Sequence, residues 1–192
     1  MTGKLFLILG SSGSGKGTVL NNLRRKYSKF VFPLSCTTRL RRPMEQDGEI
    51  YHFIAREEFE LRIKKGDFLE YAVVHQNNYY GTLKKPIIEA LDAGKTVIRE
   101  VDVQGLRSIR KLIPSTQLVS IFLMVPDWDT LQARILHRSK MAVDELQRRY
   151  ASFLMEMTWG KECDYQVESL DGQVAKLAAD VEKIILQEIE KA

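Results

Sequence analysis

What is scarce in this sequence narrows it first. No apolar run approaches the ~20 residues that a membrane-spanning helix needs. The opening segment MTGKLFLILG has the outline of a signal peptide, but its apolar core LFLIL is far shorter than the ~7–15 residues of a signal h-region. It reads instead as a buried strand. Cysteine is nearly absent: Cys36 and Cys163 are too few for a disulfide framework, so free thiols in a reducing compartment are expected. No block of like charge exists, and 29 Lys+Arg against 25 Asp+Glu leave a net charge of only +4, which argues against a nucleic-acid-binding tail. Internal repeats, low-complexity stretches and Pro/Gly/Ser-rich linkers are also lacking. These absences predict a single soluble cytoplasmic domain over 1–192, a monomer or small homo-oligomer, with neither membrane nor nucleic acid among its partners.

What is present is a core. Hydrophobic residues make up 44% of the chain, and strand-like and helical stretches alternate, as in an α/β domain with a mostly parallel sheet. The continuous apolar run at 5–10 suits a central strand covered on both faces, and 96–103 (TVIREVDV) and 118–125 (LVSIFLMV) are expected to be two more buried strands. Further strands are expected at 30–35 (FVFPLS) and 164–167 (DYQV). Helices are expected over 16–28, 56–65 (ended by Gly66), from Thr82 to Ala93, near 104–112, over 127–137 and over 142–158. From Gly172 onward, Val174, Leu177, Val181, Ile184, Ile185 and Ile189 share one helical face, as a core-covering helix requires. The stretch 50–81 differs and reads as a small, partly antiparallel β insertion.

The segment GSSGSGKGT (10–18) follows the first strand and opens the first helix. Gly10, Gly15 and Lys16 satisfy the spacing G-x-x-x-x-G-K of a phosphate-binding loop. Glycines let successive N–H groups turn inward, the helix N-terminus adds partial positive charge, and Lys16 adds a full one. Such loops ordinarily place a hydroxyl after the lysine to ligate magnesium. Gly17 stands there, and Thr18 can serve an α- or β-phosphate instead. The motif marks a phosphate binder without saying which phosphate.

A second anion site is written in SCTTRLRRPMEQDGEIYHF (35–53), where Arg39, Arg41 and Arg42 surround a proline turn. By composition alone the stretch suits a solvated basic loop or a nucleic-acid contact equally. With the rest of the chain it resembles the guanylate kinases: SCTTRLRRP, DGEIYHF, FLEYA (68–72), NYYGT (78–82), DVQG (102–105) and Arg134, Arg138 and Arg149 follow that family's order and spacing. The resemblance covers residues 5 to about 150, and GKGT at the loop occurs within that family.

It implies a P-loop NTPase-type parallel sheet flanked by helices (about 1–34, 83–126 and 160–192), a small mixed-β GMP-binding insertion (about 35–82) and a helical lid (about 127–159). It implies transfer of a phosphoryl group from ATP to GMP, with Mg²⁺ accompanying ATP. Gly10, Ser11, Ser12, Gly13, Ser14, Gly15, Lys16, Gly17 and Thr18 would hold ATP. Arg39, Arg42, Tyr51 and Tyr80 would hold the GMP phosphate, and Ser35, Glu70, Thr82 and Asp102 would read the guanine. Guanine offers N–H donors at positions 1 and 2 and an acceptor at O6, which a carboxylate and a hydroxyl complement.

The acceptor would be a phosphate, mostly deprotonated at neutral pH because its second pKa is about 6, so no general base is needed. Catalysis then rests on alignment and on the cations Lys16, Arg39, Arg134, Arg138 and Arg149. Arg148, adjacent to Arg149, is an alternative for its role. Glu100, at the end of the 96–103 strand, can steer magnesium through water. His52, His75 and His137 can be structural. The pattern departs from the family at Met44, at Gln76–Asn77, at Ser139, and at ESLD (168–171), where no adenine contact is assigned; Trp159 has no family role either. Two other readings remain open here: a kinase for another nucleoside monophosphate, and a non-catalytic binding module of the same fold.

Overall fold

LFLIL is uninterrupted by polar residues because both faces of its strand are covered. A computed structural model of the chain describes residues 2–74, 78–138 and 141–191, without the side chains of Val74 and Arg138. Strand β1 (Lys4–Leu9) is buried throughout. Its Leu5, Leu7 and Leu9 join one apolar cluster, and Phe6 and Ile8 join another on the opposite face. Burial of apolar area on both sides drives this central placement. β1 lies between β6 (Thr96–Glu100) and β7 (Leu118–Met124), and β8 (Tyr165–Glu168) extends the sheet, giving the order β6-β1-β7-β8 with every pairing parallel.

Helices α1 (Lys16–Lys26) and α7 (Val174–Glu190) close one face through Val19, Leu23, Leu177, Val181 and Ile185. Helices α3 (Lys84–Asp92) and α4 (Val103–Ile109) close the other through Ile87, Leu91, Leu106 and Ile109. This arrangement bears out the expected α/β class. Among the described residues no helix is long and apolar enough to cross a membrane.

The insertion forms a second sheet of β2 (Ser35–Thr37), β3 (Tyr51–Phe53), β4 (Phe68–Val74) and β5 (Asn78–Leu83), in the order β3-β2-β5-β4. β2 runs parallel to β3, while β5 is antiparallel to both β2 and β4. Helix α2 (Arg56–Lys65) covers it with Phe59, whose ring stacks on Phe68 at 4.2 Å and on Tyr79 at 5.0 Å. Helices α5 (Trp128–Arg138) and α6 (Val143–Gly160) pack against one another over Leu131, Ile135 and Phe153. Trp159, for which the resemblance implies no role, packs against the core with the Arg107 guanidinium 5.2 Å from its ring.

Several expected boundaries move. The strand expected over 30–35 forms instead at Ser35–Thr37; upstream only Val31 bridges the main sheet, at Val97, and Pro33 has no N–H to continue the ladder. Thr82 does not open a helix. It lies fully buried in β5, cross-strand from Ser35 and Glu70, and α3 begins at Lys84. The strand expected to run to residue 103 ends at Glu100, because Asp102 caps α4 by accepting from the Gly105 N–H at 2.7 Å. Val174 is half exposed rather than part of the core, since the first turn of α7 borders a cavity. His75, Gln76, Asn77 and Ser139 lie outside the described residues.

The C-terminal helix is tied down by Glu188. Its carboxylate accepts from Lys191 Nζ (2.5 Å), the Tyr165 hydroxyl (2.6 Å) and Lys4 Nζ (3.3 Å). Lys191 first, then Tyr165, hold its pKa down at about 2, against an ordinary value of 4.5. A depressed carboxylate contributes stability above its unfolded pKa and loses it as pH falls through the folded one. Glu188→Gln is therefore expected to lower stability by about 1–3 kcal/mol at pH 7. It should also flatten the stability loss of the wild type between about pH 4.5 and 2. Urea unfolding across that range checks this; parallel pH profiles would refute it.

Candidate active site

Residues 10–15 carry the chain from the end of β1 into α1. Gly10 has φ 140° and approaches the sheet so closely that a Cβ there would lie 2.7 Å from the Leu123 carbonyl oxygen. Gly15, at φ 94°, caps α1 without a side-chain hydrogen bond, and no acidic residue occupies the first turn. The first N–H groups of the helix are thus left to an anion. Lys16 Nζ donates to the carbonyls of Gly10 (2.6 Å) and Ser11 (3.1 Å) and stands 3.7 Å from Glu100 Oε1. The Ser14 hydroxyl is buried and is the one such group without a hydrogen-bond partner among the described residues. An orphaned buried hydroxyl is unfavourable, and a phosphate oxygen would satisfy it.

The loop borders a cavity of about 970 Å³ that also reaches Thr18, Glu100, His137 and residues 169–172. Arg134 spans it. Its Nε donates to Asp171 Oδ1 (2.7 Å), Nη1 to Ser169 Oγ (2.9 Å) and Nη2 to the Ser169 carbonyl (2.7 Å). Nη1 also reaches the Gly13 carbonyl at 3.4 Å. Ser169 and Asp171 belong to ESLD, a stretch to which the sequence assigned no contact. The signal was position: they follow β8, at the carboxyl end of the sheet where such folds bind ligands. Arg149 reaches the loop at Ser12 Oγ (3.3 Å) while its Nε is held by Glu145 (3.0 Å). Arg148 pairs with Asp144 and is largely exposed, so Arg149 is the one of the two that touches the loop. Arg138 ends α5, with its side chain outside the described set.

A second cavity, of about 470 Å³, opens between the two sheets. It brings together Ser35, Tyr51, Glu70, Tyr80, Glu100 and Asp102 from five segments of the chain. Thr82 stands behind it, donating from Oγ1 to Glu70 Oε1 at 2.5 Å. Burial pushes the Glu70 pKa up, against the Thr82 hydrogen bond and the charge of Arg99, which pull it down. Arg99 was not singled out in the sequence; an arginine within an apolar strand was the available signal.

Beside this cavity Arg39, Arg42, Tyr51 and Tyr80 line a further space of about 560 Å³. Arg39 does not face it uncompensated. Its Nη2 donates to both oxygens of Glu45, at 2.8 and 2.9 Å, and the Arg42 N–H donates to the same carboxylate at 2.9 Å. Arg39, then the Arg42 backbone, hold Glu45 below the usual carboxylate range. Glu45 is a second site residue that sequence reasoning missed.

The first two cavities share Gly17, Asn21 and Glu100 as a common wall. Two nucleotide-sized spaces, one floored by a phosphate loop and the other by a buried carboxylate, suit one class of protein: a nucleotide kinase, in which donor and acceptor meet phosphate to phosphate. Comparison with known proteins narrows this. The guanylate kinase family model matches residues 2–188. The chain is 38% identical over 186 residues to the guanylate kinase of Clostridium perfringens, covering 97% of this chain and 84% of that one. It is 40% identical over 163 residues to that of Nocardia farcinica, covering 84% and 83%. The crystal structure of guanylate kinase from Anaplasma phagocytophilum superposes with a TM-score of 0.74 at 26% identity, covering 97% of this chain and 86% of that one. The chain belongs to the guanylate kinase family.

Proposed function

We propose that the chain transfers the γ-phosphoryl group of ATP to GMP, and also to dGMP, giving ADP and the diphosphate, a step of purine nucleotide metabolism. The observation that carries this reading is the wall shared by the two cavities at Gly17, Asn21 and Glu100. ATP takes the loop cavity with its phosphates on residues 10–18. GMP takes the other, with its base at Ser35, Glu70, Thr82 and Asp102 and its phosphate at Arg39, Arg42, Tyr51 and Tyr80. The reading divides the chain into a core (about 1–34, 83–126 and 160–192), a GMP-binding region (35–82) and a lid (127–159).

The chain's own work is alignment and charge neutralisation. Lys16 is already aimed by two backbone carbonyls, so its ammonium needs little reorganisation when phosphates arrive. Arg134 and Arg149 bridge the lid to the loop, and Arg138 lies one turn beyond Arg134. Together they draw the two polyanions into line and exclude the water that would otherwise hydrolyse ATP.

Magnesium suits the donors at the shared wall. Among the described residues no cluster of three acidic, His or Cys side chains forms a cage. Glu100 offers the hard oxygen at the shared wall that, with phosphate oxygens and water, suits this ion. Bound there, magnesium would supply positive charge to the phosphates, and Glu100 would hold it through water. Glu100→Ala is expected to raise the magnesium concentration for half-maximal rate several-fold; a superimposable titration would remove this role. The reading includes a monomer or small homo-oligomer in the cytoplasm, which the two buried free thiols support.

The test is ADP release coupled to NADH oxidation, with ATP-Mg²⁺ and GMP, dGMP, AMP, CMP or UMP offered separately. GMP and dGMP are expected to be used far better than the others. Turnover with AMP but not GMP would overturn the substrate assignment. GMP binding without turnover would favour a binding module.

A further inference from the structure

Arg99 sits on β6 and its side chain lines the base cavity. All three of its nitrogens are engaged. Nη2 donates to Ser35 Oγ, Nε donates to Thr82 Oγ1 at 3.1 Å, and Nη1 donates to the Pro33 carbonyl at 3.1 Å. Three chain segments are therefore tied to one side chain. The cavity is also lined by Ser35 and Glu70, and Thr82 links Arg99 to Glu70. An arginine is only a donor, whereas a hydroxyl can donate or accept. Contact with Arg99 removes that ambiguity. Ser35 Oγ accepts from Arg99 and keeps its proton for the cavity. Thr82 accepts from Arg99 and gives its proton to Glu70.

We propose that Arg99 is a specificity-determining positioning residue that fixes the hydrogen-bond polarity of the base cavity. It makes Ser35 a donor and holds Glu70, through Thr82, as an acceptor. The cavity then takes a base with a carbonyl at carbon 6 and N–H groups at positions 1 and 2. A base with an amino group at carbon 6 meets a donor where it needs an acceptor, and it leaves the carboxylate unpaired. Because an oxygen that already accepts from a cation is a poor acceptor for a second donor, Ser35 does not adapt to such a base. This inference rests on the proposed use of GMP and adds the residue that enforces it.

The test compares kcat/KM for GMP and for AMP in the wild type, Arg99→Met and Arg99→Lys, with thermal melting and binding of a fluorescent ATP analogue as controls. In Arg99→Met the value for GMP is expected to fall about 10–100-fold, chiefly through KM. The GMP:AMP ratio should fall at least tenfold, because Ser35 regains the freedom to accept. Arg99→Lys keeps the charge but not the fork and should lie between. An equal loss for both substrates, with the ratio unchanged, would overturn the proposal and leave Arg99 a purely structural tie. Should Arg99→Met fail to fold, Ser35→Ala is compared in wild-type and Arg99→Lys backgrounds. The proposal requires a smaller loss of GMP activity in the lysine background; equal losses overturn it. A wild type that prefers AMP would instead refute the substrate assignment itself, which the first column of the experiment reveals separately.

Discussion

Lys16→Ala is expected to slow turnover about 10³-fold at saturating ATP and GMP, with far-UV circular dichroism unchanged. The ammonium is the full positive charge at the head of α1, held at 2.6 Å from the Gly10 carbonyl and 3.1 Å from that of Ser11. No other described cation lies so placed: Arg134 and Arg149 reach the loop from its far side, at Gly13 and Ser12. Gly17→Ser, one residue along, should change kcat by less than about threefold, because a hydroxyl there restores what such loops ordinarily carry. A Cβ at Gly17 meets nothing within 4 Å, so the added side chain has room. The pair of variants separates charge from loop geometry. A severe defect in Gly17→Ser alongside a mild one in Lys16→Ala would mean that the loop works by shape.

Glu70→Gln is expected to reduce kcat/KM for GMP by about 10²–10³-fold while changing that for AMP far less. The amide keeps the volume of the carboxylate but replaces one of its two acceptor oxygens with an NH2 donor, which faces a donor on the guanine edge. One donor is then desolvated without an acceptor and the charge that favoured both is lost, which is where the penalty arises. Burial raises the Glu70 pKa above its ordinary 4.5. Protonation removes the acceptor, so GMP activity is lost as pH falls through that raised value, earlier than for an exposed glutamate. In the Gln variant this acid limb should vanish from the kcat/KM profile. An unaltered limb would assign the titration to another group, and an unaltered GMP:AMP ratio would remove Glu70 from base reading.

Much of this molecule was legible because its signals are local. The loop 10–18 is set by glycine spacing between a strand and a helix, and α2 ends at Gly66 as its sequence implies. The parallel sheet followed from apolar runs too continuous for a half-exposed strand. What escaped were partnerships made at a distance. Arg99 meets Ser35 across 64 positions of chain, and Arg134 meets Ser169 across 35. Side chains of one sequence neighbourhood do not announce such partners. Thr82 was misread for a related reason: the helical pattern that follows it is real, but pairing with both Ser35 and Glu70 keeps it in the sheet. Even Glu45, only six residues from Arg39, was hidden, since a turn rather than a helix brings the two together.

The Arg39–Glu45 pair bears on how fast the enzyme can let go. A cation stripped of its phosphate partner in a partly enclosed site is costly to leave bare, and that cost ordinarily slows departure of the product. If Arg39 holds the GMP phosphate as proposed, Glu45 is the internal counter-ion that would take its place. Under the proposed reading, release of the diphosphate becomes an exchange of one carboxylate for one phosphate, with Arg39 never unpaired. Under that reading the empty site would be a resting state of low energy rather than a trap, and dissociation would be eased by a residue that takes no part in the chemistry.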